Sequence, residues 1–440
     1  MEKDFGQSNR SLYKAALKVL PGGVCSSARV HKSLGHPLYI SRAQGGRIYD
    51  REGREYIDLT LSFGAALIGH GHPRVTEAIG RALERGLMCG YDNEWQTLLA
   101  GRLAEIVPCI DMVRFSMTGT ETTYYAVKLA REYTGRTLVV KFEGHFHGFN
   151  DYLAYNYWPT PEGLWPRVTP AVQGLPEYLR QGFLVLPFND LPRVEQTFRE
   201  RGAEIAAVVL EPVNYNSGTI LPRPGFLEGL RRLTADSGSL LIFDEILSGF
   251  RTGPGCMQGD YGVTPDLCTL GKAVGGGTPL SLFGGNREIM EHISPLGRAQ
   301  HSGTYNGHLI EMMAGNAFLD VILEEGFYPE LLDRCERFYS EVNSVMKRLG
   351  FPGRLRGKGA RGSFVFGPPA EREPASYAEM VDNRWDLLDR FYGAALRHGV
   401  YLHTLQHHGI CSAHTDSELE RAVEGIEAAL RDLQEEGLEH

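Results

Sequence analysis

Seven short apolar runs recur between residues 113 and 284, at 113–116, 137–142, 183–186, 205–210, 240–244, 267–270 and 280–284. A strand with one wet face alternates apolar and polar residues. These runs are nearly continuous, so they read as strands buried on both faces of a mostly parallel sheet. Between them, 121–133, 191–201 and 226–237 carry helical periodicity. Strand–helix alternation of this kind predicts a doubly wound α/β domain.

The flanks differ. The chain begins with a helix predicted over 11–20, a Pro21-Gly22-Gly23 break, and a hairpin over 47–58 that turns at Glu52-Gly53. After Asn306 come helical patterns at 309–325, 328–349, 383–398 and 416–435. A chain of 440 residues exceeds what one core normally serves. The expected organisation is therefore a large domain over 55–305 and a small α+β domain built from both ends, 1–54 and 306–437. Residues 438–440 read as a tag remnant.

Composition removes several function classes. The formal net charge of −9 and the lack of any Lys/Arg block argue against nucleic acid as a partner. No apolar run reaches the roughly 18–20 residues a membrane span needs. Met1-Glu2-Lys3-Asp4-Phe5 is too polar for a signal peptide. The seven cysteines are scattered, with no Cys-x-x-Cys pair, so neither a disulfide framework nor a zinc site is indicated and a reducing cytoplasm is expected.

Function must then come from motifs. In Thr269-Leu270-Gly271-Lys272-Ala273-Val274-Gly275-Gly276-Gly277 a lysine follows a buried strand and precedes three glycines. A lysine at a strand end can simply reach solvent. A Schiff-base lysine explains more, because desolvation favours its nucleophilic form and the glycines admit a flat cofactor. Leu240-Leu241-Ile242-Phe243-Asp244-Glu245-Ile246 puts a carboxylate at the carboxyl end of the neighbouring strand, where α/β proteins bind ligands. Pyridoxal 5′-phosphate (PLP) needs such an acid to keep its pyridine nitrogen protonated. Asp244 suits that role, with Ile246 packing on the ring.

Ser116-Met117-Thr118-Gly119-Thr120-Glu121 leads into a helix N-terminus, which is either a phosphate site or a plain N-cap. Lys141-Phe142-Glu143-Gly144-His145-Phe146-His147-Gly148 offers Phe146 to stack on the cofactor and His147 beside it. His145/His147 and His70/His72 lack further ligands at a metal-site spacing, so no metal is expected. Gly253–Gly259 does not fit a dinucleotide fingerprint, which disfavours a Rossmann-type nucleotide enzyme.

In order, Gly119-Thr120-Glu121, Phe142-Glu143-Gly144-x-x-His147-Gly148, Glu211-Pro212-Val213, Phe243-Asp244-Glu245, Gly249-Phe250-Arg251 and Gly271-Lys272-x-x-Gly275-Gly276-Gly277 resemble the class III aminotransferases. Within them the chain is most similar to the branch holding glutamate-1-semialdehyde aminomutase and D-phenylglycine aminotransferase. The resemblance implies PLP fold type I and a homodimer with shared active sites. Lys272 is then the imine lysine and Asp244 the pyridinium partner. Thr118, Gly119 and Thr120 hold the phosphate, and Thr304 reaches the neighbouring subunit's phosphate. Glu211, Phe146, His147 and Ile246 complete the cofactor set, and Arg29 grips a substrate carboxylate.

Departures from the aminomutase pattern bear on substrate. Phe146 stands where a tyrosine is usual, and Met117-Thr118 where Asn-Ser is usual. A small-residue lid is replaced by Tyr155-Asn156-Tyr157-Trp158-Pro159, and no acid lies in the 405–415 segment. No arginine falls between Gly399 and Asp416, where ornithine-type relatives carry a carboxylate clamp. The expected activity is an aminotransferase acting on an amino acid with a hydrophobic or aromatic side chain and a keto acid, with Tyr157 and Trp158 meeting substrate. A 2,1-aminomutase or an amino acid racemase shares the same motifs, and a non-catalytic PLP-binding subunit is the reading outside this class.

Overall fold

The computed structural model describes residues 8–403 and 407–437. Leu405 and Gln406 of the carboxyl-end segment, and residues 438–440, lie outside the described residues. Two compact units form: residues 73–328 with 373–381, and residues 1–72 with 329–372 and 382–440.

The larger unit is built on a seven-stranded sheet. Its spatial order is Met112–Ser116, Ser281–Gly285, Leu267–Leu270, Leu240–Glu245, Ile205–Leu210, Leu138–Phe142, Phe183–Leu186. Ser281–Gly285 runs antiparallel to both neighbours, and the five strands beyond it are parallel. The fold is the mostly parallel, doubly wound α/β fold expected. Ile205–Leu210 and Leu240–Glu245 are buried at every position, as the apolar runs 205–210 and 240–243 imply, and Asp244 and Glu245 are buried with them. Helix Gly119–Thr134 starts where the Thr118 hydroxyl accepts from Glu121 N–H and ends at Gly135, whose φ of +67° suits glycine.

The other unit holds two sheets. Ile40–Gln44, Arg47–Asp50 and Glu55–Asp58 form an antiparallel set to which Val400–Tyr401 adds in parallel. Gly353–Lys358, Arg361–Phe366 and His408–Gly409 form the second. The terminal helix Asp416–Glu435 opens with a reciprocal cap between Thr415 and Glu418.

The units divide at 72/73 and 328/329, not at the expected 54/55 and 305/306. Strand Glu55–Asp58 pairs with Arg47–Asp50 and Val400–Tyr401, which keeps it with the smaller unit. Helix Leu309–Ile322 is buried along nearly its whole length and packs on Pro73–Glu84 and Glu94–Ile106, so it belongs to the larger unit. None of the described helices is long and apolar enough to cross a membrane.

Candidate active site

Three strand ends of the larger unit converge on Ile246. A Cβ on Gly119 would stand 2.7 Å from Ile246 Cδ1. One on Gly271 would stand 2.8 Å from Ser281 Oγ and 3.4 Å from Ile246 Cγ2. Only glycine lets the backbone approach this closely, so the helix N-terminus at Thr118–Thr120, the Asp244 corner and the Lys272 turn pack together. A Cβ on Gly148 would meet Thr120 Oγ1 at 2.4 Å, and Thr123 Oγ1 donates to the His147 carbonyl at 2.8 Å. The His147-Gly148 segment therefore lies against the same helix end.

Asp244 is 4% exposed, and its carboxylate is held on both sides. Oδ1 accepts from Thr269 Oγ1 at 2.8 Å and from Ile246 N–H at 3.2 Å, and Oδ2 accepts from His147 Nδ1 at 2.7 Å. Burial lowers the pKa of His147, with Asp244 opposing. A neutral imidazole donating from Nδ1 leaves the negative charge on Asp244. His147 Nε2 is buried with no hydrogen-bond partner among the described residues.

Lys272 is half-buried at the start of the short turn Lys272–Gly275, with φ of +46°. A left-handed non-glycine residue costs roughly 1–3 kcal/mol, and such residues concentrate at functional sites.

Glu211 fixes the far wall. Its Oε1 accepts from Phe146 N–H at 2.7 Å, its Oε2 from Asn216 Nδ2 at 2.8 Å, and its own N–H donates to His145 Nδ1 at 3.0 Å. Burial, then the neighbouring Asp244 charge, pushes its carboxyl up to about 8. Phe146 stacks on Trp158 at 5.5 Å and 17°, and meets the Tyr157 edge at 4.9 Å. Trp158 is 41% exposed and donates from Nε1 to the Asn216 carbonyl at 3.2 Å. Tyr157, expected beside it at the substrate, is 1% exposed, and its hydroxyl donates to the Gly148 carbonyl. It lies behind Phe146 rather than at an open surface.

Thr304 is exposed, on a loop whose His301 sits 3.2 Å from Ser116 Oγ. Arg29 belongs to the smaller unit. There Asp58 Oδ1 accepts from Thr60 and Leu61 N–H as the chain enters a left-handed turn at Leu61, Ser62 and Phe63. Arg29 borders a cavity of about 420 Å³ shared with Phe63, Val24, Leu38 and Tyr401. Thr269, Asn216 and Lys141 were left without roles by the sequence. A hydroxyl in the otherwise apolar Leu267–Leu270 strand was the one available signal for Thr269.

The helix N-terminus, the doubly held carboxylate and the left-handed lysine turn, drawn together around Ile246, suit a PLP enzyme of fold type I. The Aminotransferase class-III family model matches residues 28–430, and the chain belongs to that family. The glutamate-1-semialdehyde 2,1-aminomutase of Desulfitobacterium hafniense is 38% identical over 430 residues, covering 97% of this chain and 99% of that protein. An omega-transaminase from Sphaerobacter thermophilus superposes with a TM-score of 0.92 at 32% identity, covering 98% of each chain. A transaminase solved with PLP bound gives 0.89 at 27% identity, covering 97% of this chain and 98% of that one. PLP is the cofactor, and the residues present fit it. Asp244 retains acceptor capacity for a protonated ring nitrogen, and the first N–H groups of helix Gly119–Thr134 have no partner within the helix.

Proposed function

We propose that this chain catalyses a 2,1-aminomutase reaction, moving an amino group within one carboxylate-bearing substrate of the glutamate-1-semialdehyde kind. What supports this is the 38% identity to the Desulfitobacterium hafniense aminomutase over 97% of this chain and 99% of that protein. PLP, when bound, supplies the electron sink for the bond broken at the substrate carbon. Lys272 Nζ takes and returns the proton there, as general base and then acid. The Asp244 carboxylate would keep the ring nitrogen protonated, and His147 and Thr269 keep that carboxylate oriented. Thr118, Gly119 and Thr120 bind the phosphate, with Thr304 of the second subunit of a homodimer completing it. Ile246 and Phe146 pack the two ring faces, Glu211 anchors Phe146, and Arg29 takes the substrate carboxylate through its planar fork. The enzyme works in the cytoplasm.

One observation favours a second reading, the aminotransferase expected from the sequence. The Phe146–Trp158 stack presents an apolar, partly exposed edge suited to a hydrophobic or aromatic side chain. Supplying glutamate-1-semialdehyde alone separates the two. Conversion to the amino-shifted isomer with no keto acid supports the aminomutase. No isomerisation, together with equal consumption of a hydrophobic amino acid and a keto acid when those two are supplied instead, supports the aminotransferase. Absence of a visible absorption band after PLP is added to the purified protein overturns both.

A further inference from the structure

Lys141 stands on strand Leu138–Phe142 and is 0% exposed. Its sheet neighbours are Val185 and Val209, an apolar setting for a cation. The ammonium donates to the carbonyl oxygens of His145, at 3.2 Å, and Tyr155, and lies 4.4 Å from the centre of the Tyr157 ring. Two limbs of one segment meet there. The outgoing limb carries Phe146 and His147 to the site, and the returning limb carries Tyr157 and Trp158 back to it.

We propose that Lys141 is a positioning residue of this site: its buried ammonium clamps the His145 limb to the Tyr155 limb, thereby setting Phe146 and His147, and its charge bears on His147 and on the anionic cofactor. The proposal rests on PLP lying at Asp244.

The charged groups facing Lys141 are Glu143 and Glu211, with His145 and His147 on the outgoing limb. The Glu143 carboxyl is already engaged by Trp165 N–H at 2.7 Å and Asn156 Nδ2 at 3.2 Å, and Glu211 by Phe146 and Asn216. The hydrogen bonds of Lys141 go to carbonyl dipoles instead. Burial brings the ammonium down to about 7, opposed by Glu211 and Glu143. Two buried carbonyls depend on this donor, so the two limbs of the segment are tied through a single side chain. The position of the charge, at the root of the segment bearing Phe146 and His147, accounts for it as part of the site.

Lys141→Met in the full chain removes the charge and keeps the shape. The PLP dissociation constant is expected to rise roughly tenfold, as loss of one nearby buried cation implies. The pH midpoint of the visible band should move up by about half a unit, because a nearby nitrogen keeps its proton more easily without that cation. The thermal midpoint should fall as well, because the buried His145 and Tyr155 carbonyls lose their donor. An unchanged dissociation constant and band midpoint overturn the proposal, as does a lowered thermal midpoint with an unmoved band, which marks a mere strut. If Lys141→Met does not fold, Lys141→Gln, which keeps a donor without the charge, decides by the same criteria. A wild-type protein with no band refutes the cofactor site itself and this inference with it.

Discussion

His147 Nδ1 lies 2.7 Å from Asp244 Oδ2, and both side chains are buried, while Thr269 holds the other oxygen of the same carboxylate at 2.8 Å. The two donors fix the plane of the carboxyl group without consuming its charge. In Asp244→Asn one oxygen becomes an NH₂ that cannot accept, and the negative charge is gone. We expect kcat to fall by roughly 10²–10³-fold with the fold retained, measured by steady-state turnover beside circular dichroism. Turnover at the wild-type rate would remove Asp244 from the mechanism.

Lys272→Ala should abolish borohydride-trapped attachment of PLP, read by mass spectrometry. Activity should drop by roughly 10²–10⁴-fold, the usual worth of a positioned acid–base group. Trapping on another lysine would reassign the role.

Gly119→Ala tests the packing that joins the helix end to the Asp244 corner. The added methyl meets Ile246 Cδ1 at 2.7 Å, so Ile246 must move. A destabilisation of about 1–3 kcal/mol is expected, together with weaker PLP binding. Thermal melting and PLP titration check the two effects separately, and wild-type values in both would show that the contact yields without consequence.

Glu211 gives a pH dependence of defined sign. Its folded pKa of about 8 lies above the ordinary glutamate value of 4.5, so the folded state binds the extra proton between those limits. The stability it contributes is complete below about 4.5 and is lost as pH rises through about 8. Glu211→Gln resembles the protonated form at all pH. It should match the wild type in acid and melt at a higher temperature above about pH 8. Parallel melting curves at both ends of that range would show that Glu211 does not titrate as described.

Trp158→Ala removes the partner stacked on Phe146. If the site takes aromatic or branched amino acids, kcat/KM on them should fall roughly tenfold while short substrates are spared, the aromatic pair being worth about 0.5–1.5 kcal/mol. Equal loss across all substrates would place Trp158 in the scaffold alone.

Strand and helix identities in the core were legible because burial on both faces writes itself into a continuous apolar run. Phe183–Leu186, Ile205–Leu210 and Leu267–Leu270 lie where that pattern puts them. The hairpin Gly353–Lys358 with Arg361–Phe366 was missed, since Arg354, Arg356, Lys358 and Arg361 break any apolar pattern and Arg361 is nevertheless buried. The predicted helix 11–20 is Asn9–Ala16, because Ser8 caps it earlier.

By itself the sequence determined which residues are capable of PLP chemistry: a lysine after a buried strand, an acid at a strand end, a hydroxyl-rich helix start. Only the tertiary structure decided how they meet. His147 reaches Asp244 across 97 residues, and Thr269 does so across 25. Gly119 and Gly271 meet over Ile246, Tyr157 turns inward, and Lys141 joins two limbs of one segment. Periodicity reports only the local burial of each residue. Partners so distant in the chain are set by the order of strands in the sheet and by close packing, which no single stretch of sequence carries.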